Sequence, residues 1–139
     1  MKAKLVLFFW VLLALVLLGC EIPNVYDNPD AIINNSDKSS LVGSVLVNFG
    51  NTYNHRVSKF NGMKTIRTIN KSGELKFEID LVISSGRYKL VLVKDNQIIP
   101  VTDENTNGVI SFNYLEDGRY KLKMIGDEAA FDLKLKIMK

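Results

Sequence analysis

Side chains able to make or break bonds are few in this chain, and two of the most useful types occur once each. Cys20 is the only cysteine and His55 the only histidine among 139 residues. One cysteine cannot close a disulfide within a chain, and one of each cannot supply the three His or mixed Cys/His ligands of a zinc site. A Ser/His/Asp triad would have to pass through His55, in the segment TYNHRV, and no G-x-S-x-G elbow offers it a serine. His55 is therefore expected to be a surface or loop-packing residue. Paired carboxylates suit glycoside hydrolysis, but Glu78 and Asp80 alternate with Phe77 and Ile79 and read as the wet side of a strand. The run Asp103-Glu104-Asn105-Thr106-Asn107-Gly108 matches the opening of a calcium loop, with oxygen ligands at alternate positions and Gly at the sharp turn. Tyr114 stands where the bidentate Glu of that loop belongs, so an Asn-rich hairpin loop is the expectation and weak calcium binding the alternative. Lys121, Lys123, Lys134 and Lys136 would share one outer face if their strands paired, and would suit anionic headgroups or wall polymers. Edge protection is their plainer role. The only tryptophan, Trp10, precedes Cys20, so sugar stacking would fall to Tyr53, Tyr88, Tyr114 or Tyr120. No catalytic residue, metal ligand or cofactor is expected.

The surroundings of Cys20 give it a different chemistry. Lys2 and Lys4 precede fourteen uninterrupted apolar residues, 5–18, and the run closes with Leu17-Leu18-Gly19-Cys20. A helix of that length covers about 21 Å, against a hydrocarbon core of about 30 Å, so a removable leader is the better reading than a permanent span. Leu17-Leu18-Gly19-Cys20 resembles the lipobox of bacterial lipoproteins. That resemblance implies a diacylglyceryl group on the Cys20 thiol, cleavage just before it, and an anchor on the extracytoplasmic side of a cell membrane. Two acyl chains hold a protein stably, whereas one does so only marginally.

Removing residues 1–19 would leave 16 basic and 15 acidic side chains, a net of +1, which offers nothing to nucleic acid. Residues 20–40 form an acidic stretch with two prolines and four asparagines but no sustained periodicity. They are expected to be the lipidated cysteine and a flexible tether. Ile32 and Ile33, packed on the domain, would shorten it.

From Leu41 onward the pattern changes to alternation with period two, the signature of strands with one buried face. It is clearest in LKFEIDL (75–81) and FDLKLKI (131–137). Further strands are expected at 43–49, 63–69, 87–94, 97–102, 109–114 and 119–125. Ser84-Ser85-Gly86, Asp95-Asn96, Asn107-Gly108, Asp117-Gly118 and Gly126-Asp127 would be the turns between them. Residues 51–62 lack clean alternation and read as an irregular connection. Pro100 cannot donate to a ladder, which marks an edge or a bulge.

The pentapeptide Gly-Arg-Tyr-Lys-Leu occurs at 86–90 and again at 118–122, each time entering a strand with Tyr and Leu on one face. The second copy, in LEDGRYKL (115–122), resembles the tyrosine corner of immunoglobulin-like sandwiches. That resemblance implies a hydrogen bond from the Tyr120 hydroxyl to the backbone a few residues upstream. The expectation is thus an all-β, antiparallel, immunoglobulin-like sandwich of seven or eight short strands, occupying 41–139. Its function would be binding or structure in the cell envelope, with an envelope protein, peptide or polysaccharide as partner. The alternatives are an immunity-type lipoprotein that sequesters a toxic peptide at its membrane, or a weak calcium- or carbohydrate-binding surface module.

Overall fold

The computed structural model describes residues 24–34 and 36–138. The leader, residues 1–19, and Cys20 lie outside them. Six elements follow one another: α1 (Pro29–Asn34), β1 (Lys38–Val42), β2 (Val45–Phe49), β3 (Thr52–Lys94), β4 (Gln97–Thr102) and β5 (Thr106–Met138). β3 and β5 are long because the chain bends without losing its hydrogen-bonded register. Residues 52–81 run antiparallel to 106–136, and 76–93 run antiparallel to 121–138.

Set side by side, these registers make two rows of five. The first runs β2, 52–57, 131–138, 76–83, 106–111; the second runs β1, 59–71, 118–126, 87–94, β4. Their inward side chains meet in a shared core. Tyr53, Phe77, Ile79 and Leu133 come from the first row, and Phe60, Tyr88, Leu90 and Leu122 from the second. Phe131, where β5 bends from one row into the other, stacks on Tyr88 at 4.3 Å and meets Phe60 edge-on at 6.0 Å. Burying each such side chain stabilises the fold by about 1.5–3 kcal/mol. The expected antiparallel sandwich is present.

Its strand order corrects two expectations. Only the β2–β3 and β3–β4 junctions, at Gly50-Asn51 and Asp95-Asn96, are tight hairpins. The expected turns Ser84-Ser85-Gly86, Asp117-Gly118 and Gly126-Asp127 lie inside β3 and β5, where the ribbon crosses between rows. An antiparallel ribbon rolled in this way has the order of a jelly roll and not of an immunoglobulin-like sandwich. The seven or eight short strands are accordingly bent portions of longer ones. Gly86 shows why such a bend needs glycine: its φ is +69°, and a Cβ would lie 2.1 Å from the Glu128 carbonyl oxygen. Residues 51–62 are likewise paired strand for most of their length. Tyr53, His55 and Val57 face inward there, and the polar type of His55 masks the alternation.

A further correction concerns the tether. Residues 24–34 pack on the outer face of the second row, where Val25, Ala31 and Ile32 cover Met63, Val91, Val93 and Ile125. Consecutive burial of Val91, Leu92 and Val93 follows, because this sheet is covered on both faces. Six residues of helix are too few to stand alone. Asn28 caps α1 by accepting the Ala31 N–H through its side-chain oxygen at 3.1 Å, and Ile32 anchors it. Arg87 clasps the same segment from the sheet, pairing with Asp27 and Asp127 while the Tyr26 ring lies 4.2 Å from its guanidinium carbon. Lys38–Val42, expected to end the tether and begin the domain, form an edge strand instead.

Candidate functional site

The two outer faces differ. α1 and its lead-in cover part of the second sheet, whereas the outer face of the first is open, polar along its middle and apolar at its ends, where Val45, Val47, Phe49, Val82 and Val109 are exposed. Register alone builds it, because residues directly opposite on antiparallel strands project on the same side. Three cross-strand ladders result: Val45–Arg56–Asp132–Val82, Val47–Asn54–Lys134–Asp80–Asn107, and Phe49–Thr52–Lys136–Glu78–Val109. The first ladder is internally satisfied, since Arg56 donates twice to Asp132, at 2.6 and 2.9 Å. The other two are not closed in this way. Lys134 reaches Asp80 only at 3.5 Å, and among the described residues Lys136 and Glu78 have no ion pair. Between them lies a cleft of about 510 Å³, lined by Thr52, Asn54, Glu78, Asp80, Asn107 and Lys134, among others. That volume falls within the range of small-molecule sites. At its rim, opposite Thr52, Phe49 leaves 84% of its surface in solvent.

A second polar group lies inside the sandwich. His55 is 1% exposed, with Phe131 and Tyr53 edge-on to its ring. Its Nε2 is 2.7 Å from the Ser44 hydroxyl and its Nδ1 3.0 Å from the Tyr53 hydroxyl. Burial holds the imidazole pKa down to about 4 and pushes the Tyr53 phenol up to about 12. Ser and His are thus within hydrogen-bond reach, but the third partner is a phenol where a triad has a carboxylate. An imidazole so depressed is a weak base at neutral pH. The group reads as a lock that fastens the β1–β2 turn to the core. Deeper in, the Tyr88 hydroxyl is buried with no hydrogen-bond partner among the described residues.

The residues singled out from sequence are distributed unevenly over these sites. Glu78 and Asp80 form one wall of the cleft, and Asn107 joins them from the Asp103–Gly108 run. Gly108 lines the cleft beside it, while Asn105 accepts the Ile83 N–H, and Thr102 and Thr106 share a hydrogen bond. Among the described residues no cluster of three or more His, Cys, Asp or Glu is placed to hold a metal ion. The four lysines are not on one face. Lys134 and Lys136 belong to the first sheet, Lys121 and Lys123 to the second, because β5 bends between them. Lys123 is buried under α1, where its ammonium donates to the Ile32 carbonyl at 2.9 Å, and desolvation lowers its pKa.

Tyr88 and Tyr120 are in the core, and the Tyr120 hydroxyl donates to the Glu116 carbonyl at 2.7 Å, as the local motif implied. Tyr53 is buried as well, while Tyr114 is 95% exposed. Sequence reasoning missed Phe49, Thr52 and Asn54. Phe49 ends the segment VLVNF (45–49), in which three successive apolar residues precede Asn48 and hide which face is wet, and the other two fell in the supposed irregular connection. Pro100 lies on edge strand β4, opposite a register shift between Leu90 and Val91. Cys20 is outside the described residues.

No family model matches the chain, and no curated protein matches it. Among solved structures it is similar to a mutant of a carbohydrate binding module of family 29, at 12% identity over 73% of this chain and 78% of that one, with a TM-score of 0.39. It is also similar to a cupin superfamily protein from Desulfitobacterium hafniense, at 12% identity over 86% of this chain and all of the other, with a TM-score of 0.30.

Proposed function

We propose that this protein is a lipid-anchored binding module of the bacterial cell envelope, held by Cys20 on the extracytoplasmic side and acting without catalysis. The leader and Leu17-Leu18-Gly19-Cys20 support the anchor. One observation carries the binding role: a sandwich with part of one outer face covered by its own N-terminal segment leaves the other open, with a cleft across four strands. On that face Arg56 and Asp132 spend their charges on each other. Lys136 and Glu78 instead keep hydrogen-bonding capacity available to a ligand.

The test is retention of the full-length lipoprotein, kept in detergent, on bacterial envelope fragments stripped of lipid by the same detergent, so that the acyl chains cannot hold it there. Asn54→Trp fills the cleft from a position outside the core, and Lys121→Trp puts the same bulk on the exposed part of the second sheet. Retention of wild type and Lys121→Trp, with loss for Asn54→Trp, is the expected result. Equal retention of all three, or of none, would overturn the binding role of this face.

A further inference from the structure

The charges in the cleft cancel, and that points to the chemistry of its occupant. Lys134 and Lys136 stand against Glu78 and Asp80 in adjacent strands. Such a surface attracts neither a polyanion nor a polycation, because the opposed fields cancel within a few ångströms. What it offers is a dense set of donors and acceptors. Asn54 and Asn107, at the two ends of the polar part of the middle ladder, each present both kinds, as does the Thr52 hydroxyl. A ligand matched to them must itself donate and accept at closely spaced points, as a run of hydroxyl groups does. Phe49 adds a broad apolar surface at the rim, in register with Thr52, Lys136 and Glu78. From β2 to 106–111 the face spans four interstrand spacings, about 19 Å, enough for several sugar rings.

We infer that the cleft binds a neutral glycan lying across the strands, with one ring face against Phe49 and its hydroxyls toward Asn54, Asp80 and Asn107. This rests on the binding role proposed above and names its ligand class. A peptide fits less well. Extended peptides are held by main-chain addition at an open edge, or by apolar pockets for their side chains. Three of the four strands beneath the cleft, 52–57, 131–138 and 76–83, are interior, with their backbone groups already spent on their neighbours, and only 106–111 is an edge.

The probes are soluble neutral oligosaccharides built from glucose, mannose or N-acetylglucosamine, titrated calorimetrically into the full-length lipoprotein in detergent at low and high salt. At least one is expected to bind with an affinity that salt leaves within about twofold, since charge attraction is not the source of the binding. Phe49→Ala and Asn54→Ala, both outside the core, should each weaken it about tenfold, the equivalent of one good contact. Absence of binding across the set, strong weakening by salt, or indifference to both substitutions would overturn the glycan assignment. The envelope assay separates this from failure of the binding role itself. Retention that survives there but is abolished by protease treatment of the fragments identifies a protein ligand, which sinks the glycan and keeps the face.

Discussion

Mild acid should loosen this protein through a single side chain. His55 carries an imidazole whose ordinary pKa of 6.5 falls to about 4 in the folded chain, because burial disfavours the charged ring and Lys64 adds to the effect. Between those values the unfolded chain binds a proton that the folded chain refuses. The contribution to stability is therefore complete above pH 6.5 and is lost as the pH falls from 6.5 toward 4. At about 1.4 kcal/mol per pH unit, the full window is worth at most about 3.5 kcal/mol, and the part above pH 5 about 2 kcal/mol. The ring hydrogen-bonds to Ser44 in an exposed turn, so solvent reduces these figures. Against a typical domain stability of about 5–15 kcal/mol the change is still easily measured.

Urea midpoints at pH 7, 6 and 5, for wild type and His55→Phe, isolate the effect. The variant starts lower, because Tyr53 and Ser44 lose their ring partner, but its midpoint should be nearly flat across the window. Asp27 and Glu128, held low by Arg87 and Lys59, lose their contributions only at more acid pH and do so in both proteins. As the only histidine, the ring also has a single NMR signature. Equal pH slopes for the two proteins, or an imidazole titrating near 6.5, would refute the reasoning.

Other substitutions probe the covered sheet and the corner. Ile32→Ala empties the contact that seats α1 and should cost about 3 kcal/mol, read as a lower thermal midpoint; no change would mean that the N-terminal cover is not part of the cooperative fold. Arg87→Ala removes the clasp on Asp27 and Tyr26, so amide exchange should accelerate in α1 while the core strands keep their protection. Uniform acceleration, or none, would contradict the clasp. Tyr120→Phe deletes the bond to the Glu116 carbonyl and should cost about 1 kcal/mol by denaturant titration. A neutral outcome would mean that solvent replaces this bond at no cost.

What could be read from the residues, and what could not, follows from the range of each signal. Alternation is local, so LKFEIDL and FDLKLKI declare their strands and their inward faces at once. The Asp-Gly-Arg-Tyr run declares the Tyr120 bond for the same reason, although the sheet around it has a different order from the one the motif suggests. Strand order is not local. Ser84-Ser85-Gly86 and Gly126-Asp127 have the composition of hairpin turns, but a bend that carries a strand from one sheet to the other needs the same residues. The lysine patch fails with that step, because it depended on pairing the last two strands with each other. The cleft was half visible, in Glu78, Asp80 and Asn107. Its other half lies beyond His55, a polar residue made inward by Tyr53, Ser44 and Phe131, partners that sequence spacing does not reveal.

Display at a membrane through Cys20 is tested most directly by intact mass and membrane fractionation of wild type beside Cys20→Ala, expressed in a bacterium. The expected wild type is membrane-bound, with the mass of residues 20–139 plus its acyl chains, while Cys20→Ala is neither lipidated nor cut at that position. A wild-type protein that keeps residues 1–19 and carries no lipid would contradict the anchor, and with it the placement of the open sheet face at a membrane surface.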